Sequence, residues 1–315
     1  MVECDAVGRV VVSEDGEGLT VPAPGTVAGG MSLQVDGTET TFAVAVSEAG
    51  IVSYPESDVN NTESSEGIDS PDPVDPAAPI PPEPTEEPAP DSPPTDVDAP
   101  EDPTAAKVVA SAPGKCSDGA YNTADLKEYG TYNWYLGDGP NPAGLSDADI
   151  RAEFGASLGN VTGQNTNCAD YATDRVEAKA AYQGQTTKEA DINADNTCQS
   201  RDHTSTWDAG NLTAGTLGRF CYWSVPTPGA KNDLVEADVR FNTVDADWTR
   251  KVTAYCTTRF DIRSTGTHEA GHVFGLKHVG AGHDNLTMYS TGGTSCDTRR
   301  RTLGKGDILG LRSIY

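Results

Sequence analysis

The chain has 315 residues, with 48 acidic against 22 basic side chains and a net charge of −26. That is enough for one domain of substantial core plus smaller pieces, and the acidity excludes nucleic acid and anionic membrane as partners, since both call for a basic footprint. No apolar run reaches the length of a membrane span, and Met1–Val12 lacks the basic start and apolar core of a signal peptide, so an exported form would have its leader missing from this sequence.

Residues 1–54 alternate short β-rich runs (Gly8–Val12, Met31–Val35, Thr40–Val46 and Ile51–Tyr54) with Asp-Gly and Gly-Gly turn signals. They read as a small β module without histidine, whose role as propeptide, anchor or binding module stays open. Residues 55–103 hold 14 of the 21 prolines and 15 acidic residues, with no Lys or Arg. Proline fixes φ and removes donors, like charges repel, and little here is apolar enough to offset the ordering entropy, so the segment reads as an extended, disordered linker.

The remaining stretch, 104–315, reads as the main domain. Tyr132–Tyr135 is a first strand, and a Gly/Pro-rich turn follows at 137–144. Ser146 with Asp149 three positions on forms a capping-box-like pair, and Ile150, Phe154 and Leu158 make the apolar stripe of the helix that it starts. Residues 160–215, rich in Asn, Thr, Asp and Gly, read as loops. Thr216–Trp223 and Val235–Phe241 are two further strands, and Lys305–Tyr315 is a closing helix with Ile308, Leu311 and Ile314 on one side. Three helices around a mixed sheet make an α+β domain.

Seven cysteines stand at 4, 116, 168, 198, 221, 256 and 296, none in a CxxC pair. The six in the main domain read as three disulfides formed in an oxidising compartment, with fifteen pairings open and Cys4 left over.

Four of the five histidines fall between 268 and 283. His268 and His272 lie one turn apart on a helix expected to be capped near Ser264, so both rings project from one face and reach one metal ion. Glu269 flanks that face, placed to address a metal-bound water. Gly275 lets the chain leave the helix with positive φ and swings His278 back as a third ligand. Three nitrogen ligands with an open fourth position mark a catalytic zinc.

With Met288 in Leu286-Thr287-Met288-Tyr289 and the ending Thr302–Tyr315, the stretch His268–His278 resembles the metzincin zinc endopeptidases. Tyr289 directly after the methionine is similar to the matrixin branch, and the disulfide-rich style resembles its secreted bacterial members. The likeness runs over roughly residues 130–315. It implies a zincin catalytic domain with a mixed, mostly parallel twisted sheet and three helices. His268, His272 and His278 would hold one Zn²⁺, and Glu269 would act as base and then acid toward a zinc-bound water. Met288 would form the base of the site, braced by Asp307. Leu217 and Gly218 would lie on the edge strand that takes an extended substrate, with Tyr289 also contacting it. Asn242 and Asp245 match calcium-ligand positions, so Ca²⁺ competes there with ordinary loop polarity. Arginines 219 and 240 stand where vertebrate matrixins place histidines of a second, structural zinc, which leaves one zinc site. Val279 and Ser290-Thr291-Gly292 depart from the matrixin wall of the specificity pocket, and no PRCGxPD latency motif is present.

The function these features imply is a secreted, extracellular, monomeric zinc endopeptidase acting on proteins or peptides. The competing reading is a catalytically inactive metzincin-like adhesion or binding protein displayed on an acidic stalk.

Overall fold

The computed structural model describes residues 6–55, 112–173, 175–292 and 295–315. Cys4 and nearly all of the linker expected over 55–103 lie outside them. In chain order the elements are β1 Val10–Val12, β2 Gly18–Thr20, β3 Thr26–Gln34, β4 Thr40–Val46, β5 Val52–Ser53, β6 Asn122–Thr123, β7 Leu126–Lys127, β8 Tyr132–Leu136 and α1 Asp147–Thr162. There follow β9 Ala180–Gln185, β10 Thr206–Gly210, β11 Thr216–Val225, β12 Asn232–Asn242, β13 Trp248–Thr249, β14 Phe260–Asp261, α2 Ile262–Val273, β15 Leu276–Lys277 and α3 Lys305–Ile314.

The architecture is α+β, three α-helices with one large mixed sheet in the order β5-β4-β3-β11-β12-β10-β8-β9 and β7 beside β12. Strands β9, β8, β10, β12 and β7 pair in parallel. From β12 outward through β11, β3, β4 and β5 every pairing is antiparallel. Within residues 112–315 the large sheet is mostly parallel, as expected, and β3, β4 and β5 of the N-terminal segment extend it with antiparallel strands. Residues 6–55, expected as a module of their own, belong to the same compact unit as residues 112–315.

Helix α1 begins where its sequence says: the Ser146 hydroxyl accepts from the Asp149 N–H, satisfying one of the donors a helix start leaves orphaned. Ile150, Phe154 and Leu158 are buried on the sheet, and Phe154 packs against Trp207 and Phe241 with ring centroids 5.2 and 4.9 Å apart. Burial of each such side chain contributes on the order of 1.5–3 kcal/mol. Helix α1 also supports α2, where Asn160 Nδ2 donates to Thr267 Oγ1 at 3.0 Å and Gly266 leaves room for Ser157.

A second cluster joins Leu19, Val21, Val44 and Val46 of the N-terminal segment to Ala190, Ile192 and Trp223. The region 160–215, read as loops, contains β9 and β10. The polar side chains that disguised β10 are paired within the fold, Asp208 to the Arg240 guanidinium.

Three disulfides form, Cys116–Cys168, Cys198–Cys221 and Cys256–Cys296. Among the described residues no helix is long and apolar enough to cross a membrane.

Candidate metal centre

Helix α2 starts three residues earlier than its sequence suggested. Asp261, not Ser264, is the cap: its Oδ1 accepts from the Ser264 N–H at 2.8 Å, and Arg301 holds the same carboxylate from the other side. The helix then presents His268 and His272 from one face. Its N–H···O ladder ends at Phe274, and Gly275 takes φ +88°. A Cβ at Gly275 would overlap the Leu126 carbonyl oxygen. Both conditions require glycine, and the turn that results feeds the short strand β15 and brings His278 under the helix.

The three Nε2 atoms converge. His268 to His272 is 3.1 Å, His272 to His278 is 3.2 Å and His268 to His278 is 3.0 Å. His268 Nδ1 lies 2.7 Å from the Thr287 carbonyl oxygen and His272 Nδ1 2.8 Å from that of Leu276. A carbonyl can only accept, so both Nδ1 atoms carry the proton and both Nε2 atoms point a lone pair at the common centre. Burial, the largest influence, drives all three imidazoles toward the neutral form: His272 falls to about 4, and His268 and His278 fall well below the usual histidine range. Facing lone pairs at this distance repel unless a cation lies among them. Tetrahedral zinc with Zn–N of about 2.05 Å sets ligand nitrogens about 3.3 Å apart. The donor set, its tautomers and its spacing thus fit a single divalent metal ion.

Glu269 is fully buried and neither carboxylate oxygen has a hydrogen-bond partner. Burial lifts its pKa to about 8, with Arg219 pulling the opposite way. The carboxylate lies against Gly218 of β11, where any Cβ would collide with it. Met288 sits beneath the helix with its sulfur against Gly271. Its turn is held by Asp307 of α3, which accepts from the N–H groups of Thr287, Met288 and Gly304 at 3.0, 3.2 and 2.7 Å. That turn presents the Thr287 carbonyl to His268, so α3 orients a candidate ligand through one intermediate loop.

The remaining expected site residues fall differently. Gly218 lies against Glu269 and Leu217 against Gly292, but β11 is not an edge strand: β12 lies on one side and β3 on the other. Tyr289 packs under the Arg300 guanidinium, 5.3 Å from its ring centroid. Asn242 is buried and committed to backbone, with Nδ2 donating to the Thr216 carbonyl and Oδ1 accepting from Val244 N–H, while Asp245 is exposed. This is the ordinary turn chemistry that competes with calcium at these positions. Arg219 pairs with Glu17 at 2.6 Å, and Arg240 with Asp208 at 2.6 Å. At both positions an ion pair stands where the resemblance placed a structural-zinc histidine.

Apart from the histidines, the acidic side chains of Asp191, Glu236 and Asp238 come together, a cluster with no signal in the sequence. Its carboxylates accept from the backbone N–H groups of Asp191, Asp202 and Thr206, and fasten the loop between β9 and β10. Neither the protein-family models nor the curated proteins contain a match to the chain.

Proposed function

We propose that the protein is a secreted zinc-dependent endopeptidase of metzincin type, similar to matrixins, with residues 112–315 as its catalytic part. The observation that carries the reading is the convergence of three neutral, buried imidazole Nε2 atoms within 3.2 Å of one another, with a carboxyl on the next residue after the first. His268, His272 and His278 would hold the zinc. When bound, zinc supplies Lewis-acid activation of water and of the scissile carbonyl.

The chain's own residues do the rest. Glu269 takes the proton from the attacking water and delivers it to the departing amine, and a pKa lifted by burial suits a group that must both accept and release a proton near neutrality. The Thr287 and Leu276 carbonyls hold two ligand rings in the tautomer that offers Nε2. An extended peptide would pair with the backbone of β11 at Leu217 and Gly218 in place of β3, which lies on that strand. Three disulfides accord with an oxidising, extracellular setting.

A second reading, an inactive binding protein, draws on one observation: His268, Glu269 and His272 are 0% exposed. The two are separated by measuring zinc content and casein cleavage together, with and without a chelator, before and after limited proteolysis. The expected outcome is one zinc per chain, cleavage stopped by the chelator, and a Glu269→Ala variant that keeps the zinc and loses at least about 10²-fold in rate. Stoichiometric zinc without cleavage of any member of a diverse peptide library in either state would favour the binding protein.

A further inference from the structure

Three turns bring carboxylates to a single cleft of about 210 Å³, none of whose residues belongs to the histidine centre. Asp15 comes from the β1–β2 turn and Asp36 from the β3–β4 turn. Asp195 comes from a turn closed by the Asn193 N–H, which donates to the Thr197 carbonyl at 2.9 Å. All three side chains are exposed at the rim, and two are oriented locally. Asp36 Oδ1 accepts from the Thr38 N–H at 2.9 Å, and Asp195 Oδ1 accepts from the Thr197 N–H at 3.1 Å. Hydrogen bonds from the Thr38 backbone and side chain hold Asp36 below the usual carboxylate range, so it is ionised at neutral pH. No Lys or Arg lines the cleft. Walls of one charge sign focus the field and concentrate counter-ions between them.

The floor is buried and firmly built. Glu17 is already neutralised by Arg219 at 2.6 Å, and it accepts from Ser32. Asn196, at φ +65°, ties two loops together: its Nδ2 donates to Thr216 Oγ1 at 2.9 Å and its Oδ1 accepts from the Thr213 N–H at 3.0 Å. Thr40 differs from both. It is 5% exposed, and its Oγ1 has no hydrogen-bond partner. Buried hydroxyls are nearly always paired, so this one calls for a partner brought from outside.

Charge complementarity makes that partner a cation, and the geometry makes it a polyatomic one. Among the described residues, the side chains close enough together to hold one metal ion are the three histidines and the group Asp191, Glu236 and Asp238. The carboxylates of Asp15, Asp36 and Asp195 stand farther apart than that, whereas calcium draws about six to eight oxygens to within about 2.6 Å. A guanidinium spreads its charge over a plane and offers several donors in a rigid fork. It can meet separated carboxylates and still turn one N–H to a hydroxyl.

We propose that this cleft binds a guanidinium or alkylammonium group, with Asp36 and Asp195 pairing with it from the rim and Thr40 Oγ1 accepting from it at the floor. The site stands without the peptidase reading, and nothing in its chemistry draws on the histidines.

The test uses the full chain carrying Glu269→Ala, so that no probe is cleaved. The probes are fluorescein-labelled Gly-Gly-Arg-Gly-Gly, the same peptide with citrulline in place of arginine, and agmatine as competitor. One arginine peptide should bind per chain, and Asp36→Asn combined with Asp195→Asn should weaken it at least about tenfold. That loss should shrink as salt is raised. Thr40→Val should weaken the same peptide by a smaller factor, about threefold. Citrulline keeps the shape and drops the charge, so its peptide should bind the parent no better than the arginine peptide binds the doubly substituted chain. Thermal melts check that the variants fold as the parent does. Equal binding of the arginine peptide to parent and doubly substituted chain would overturn the proposal, because the overall acidity of the chain would then be the attraction. Equal binding of the arginine and citrulline peptides would overturn it as well. So would calcium chloride that displaces the peptide with one ion bound per chain, an ion lost in the doubly substituted chain, since the cleft would then be a metal site. Agmatine identifies the source of the group. A peptide that binds more tightly than agmatine assigns the cleft to a side chain of a polypeptide, and agmatine binding equally or better assigns it to a free small cation; both results keep the guanidinium chemistry.

Discussion

Replacing Gly275 by alanine tests the turn on which the third ligand depends. At φ +88° a side chain costs about 1–2 kcal/mol. The added Cβ overlaps the Leu126 carbonyl oxygen and lies 3.1 Å from Ile314 Cδ1, and overpacking a fixed backbone neighbour costs about 1–3 kcal/mol more. The smaller entropy of the unfolded alanine chain returns about 0.4–1 kcal/mol. The net expectation is a loss of about 2–4 kcal/mol, which for a unit of this size lowers the melting temperature by roughly 5–15 °C. Relief of the clash moves the segment from Gly275 to His278, so zinc affinity, measured by competition with a chromophoric chelator, should fall at least about tenfold. Thermal melts of the metal-free chain give the stability term separately. A variant that melts within about 1 kcal/mol of the parent and binds zinc equally well would show that His278 reaches the centre without this turn.

Asp307→Ala leaves the buried N–H groups of Thr287, Met288 and Gly304 without an acceptor. At about 1–3 kcal/mol each and with imperfect additivity, denaturant unfolding should show a loss of about 3–6 kcal/mol, together with weaker zinc binding. Burial and the neighbouring Asp202 and Glu236 raise Asp191 to about 7, and Asp238 and Glu236 are raised with it. The folded chain therefore holds protons that the unfolded chain releases above about pH 4, and this part of the stability is present at low pH and lost as pH rises toward 7. Asp191→Asn should gain on the parent across that interval in melts taken at pH 4 to 8, and parallel curves would refute the assignment. Glu269→Ala should keep its zinc and lose turnover, as set out above.

The parts of the fold legible in the sequence were those written in short-range patterns. Ile150, Phe154 and Leu158 recur at helical spacing, Ser146 and Asp149 mark a start, and Val235–Phe241 alternates as a strand does. The candidate site was legible for the same reason: His268, Glu269, His272 and Gly275 lie within eight residues. What stayed hidden was set by distant partners. Strand β10 carries Asp208, a poor strand residue until Arg240 of β12 neutralises it. Gly29-Gly30 reads as a turn signal, yet the pair runs straight because Tyr222 and Arg219 fill the space where side chains would be. The cap at Asp261 carries the same local signal as Ser264 three residues on, and only the hydrogen bond from the Ser264 N–H distinguishes them. No local pattern reports that β11 has a neighbour, since Gln34 and Thr216 meet across 182 positions of chain.

That separation also orders the folding reaction. Closing so long a loop is entropically costly until many contacts reward it at once, so β9, β8, β10, β12 and β11 should assemble before β3 arrives. In the interval β11 is a bare strand edge, and a bare edge pairs with whatever extended chain is nearest, including another copy. Refolding at high protein concentration should therefore yield soluble oligomers, in proportion to concentration, that refolding at high dilution avoids.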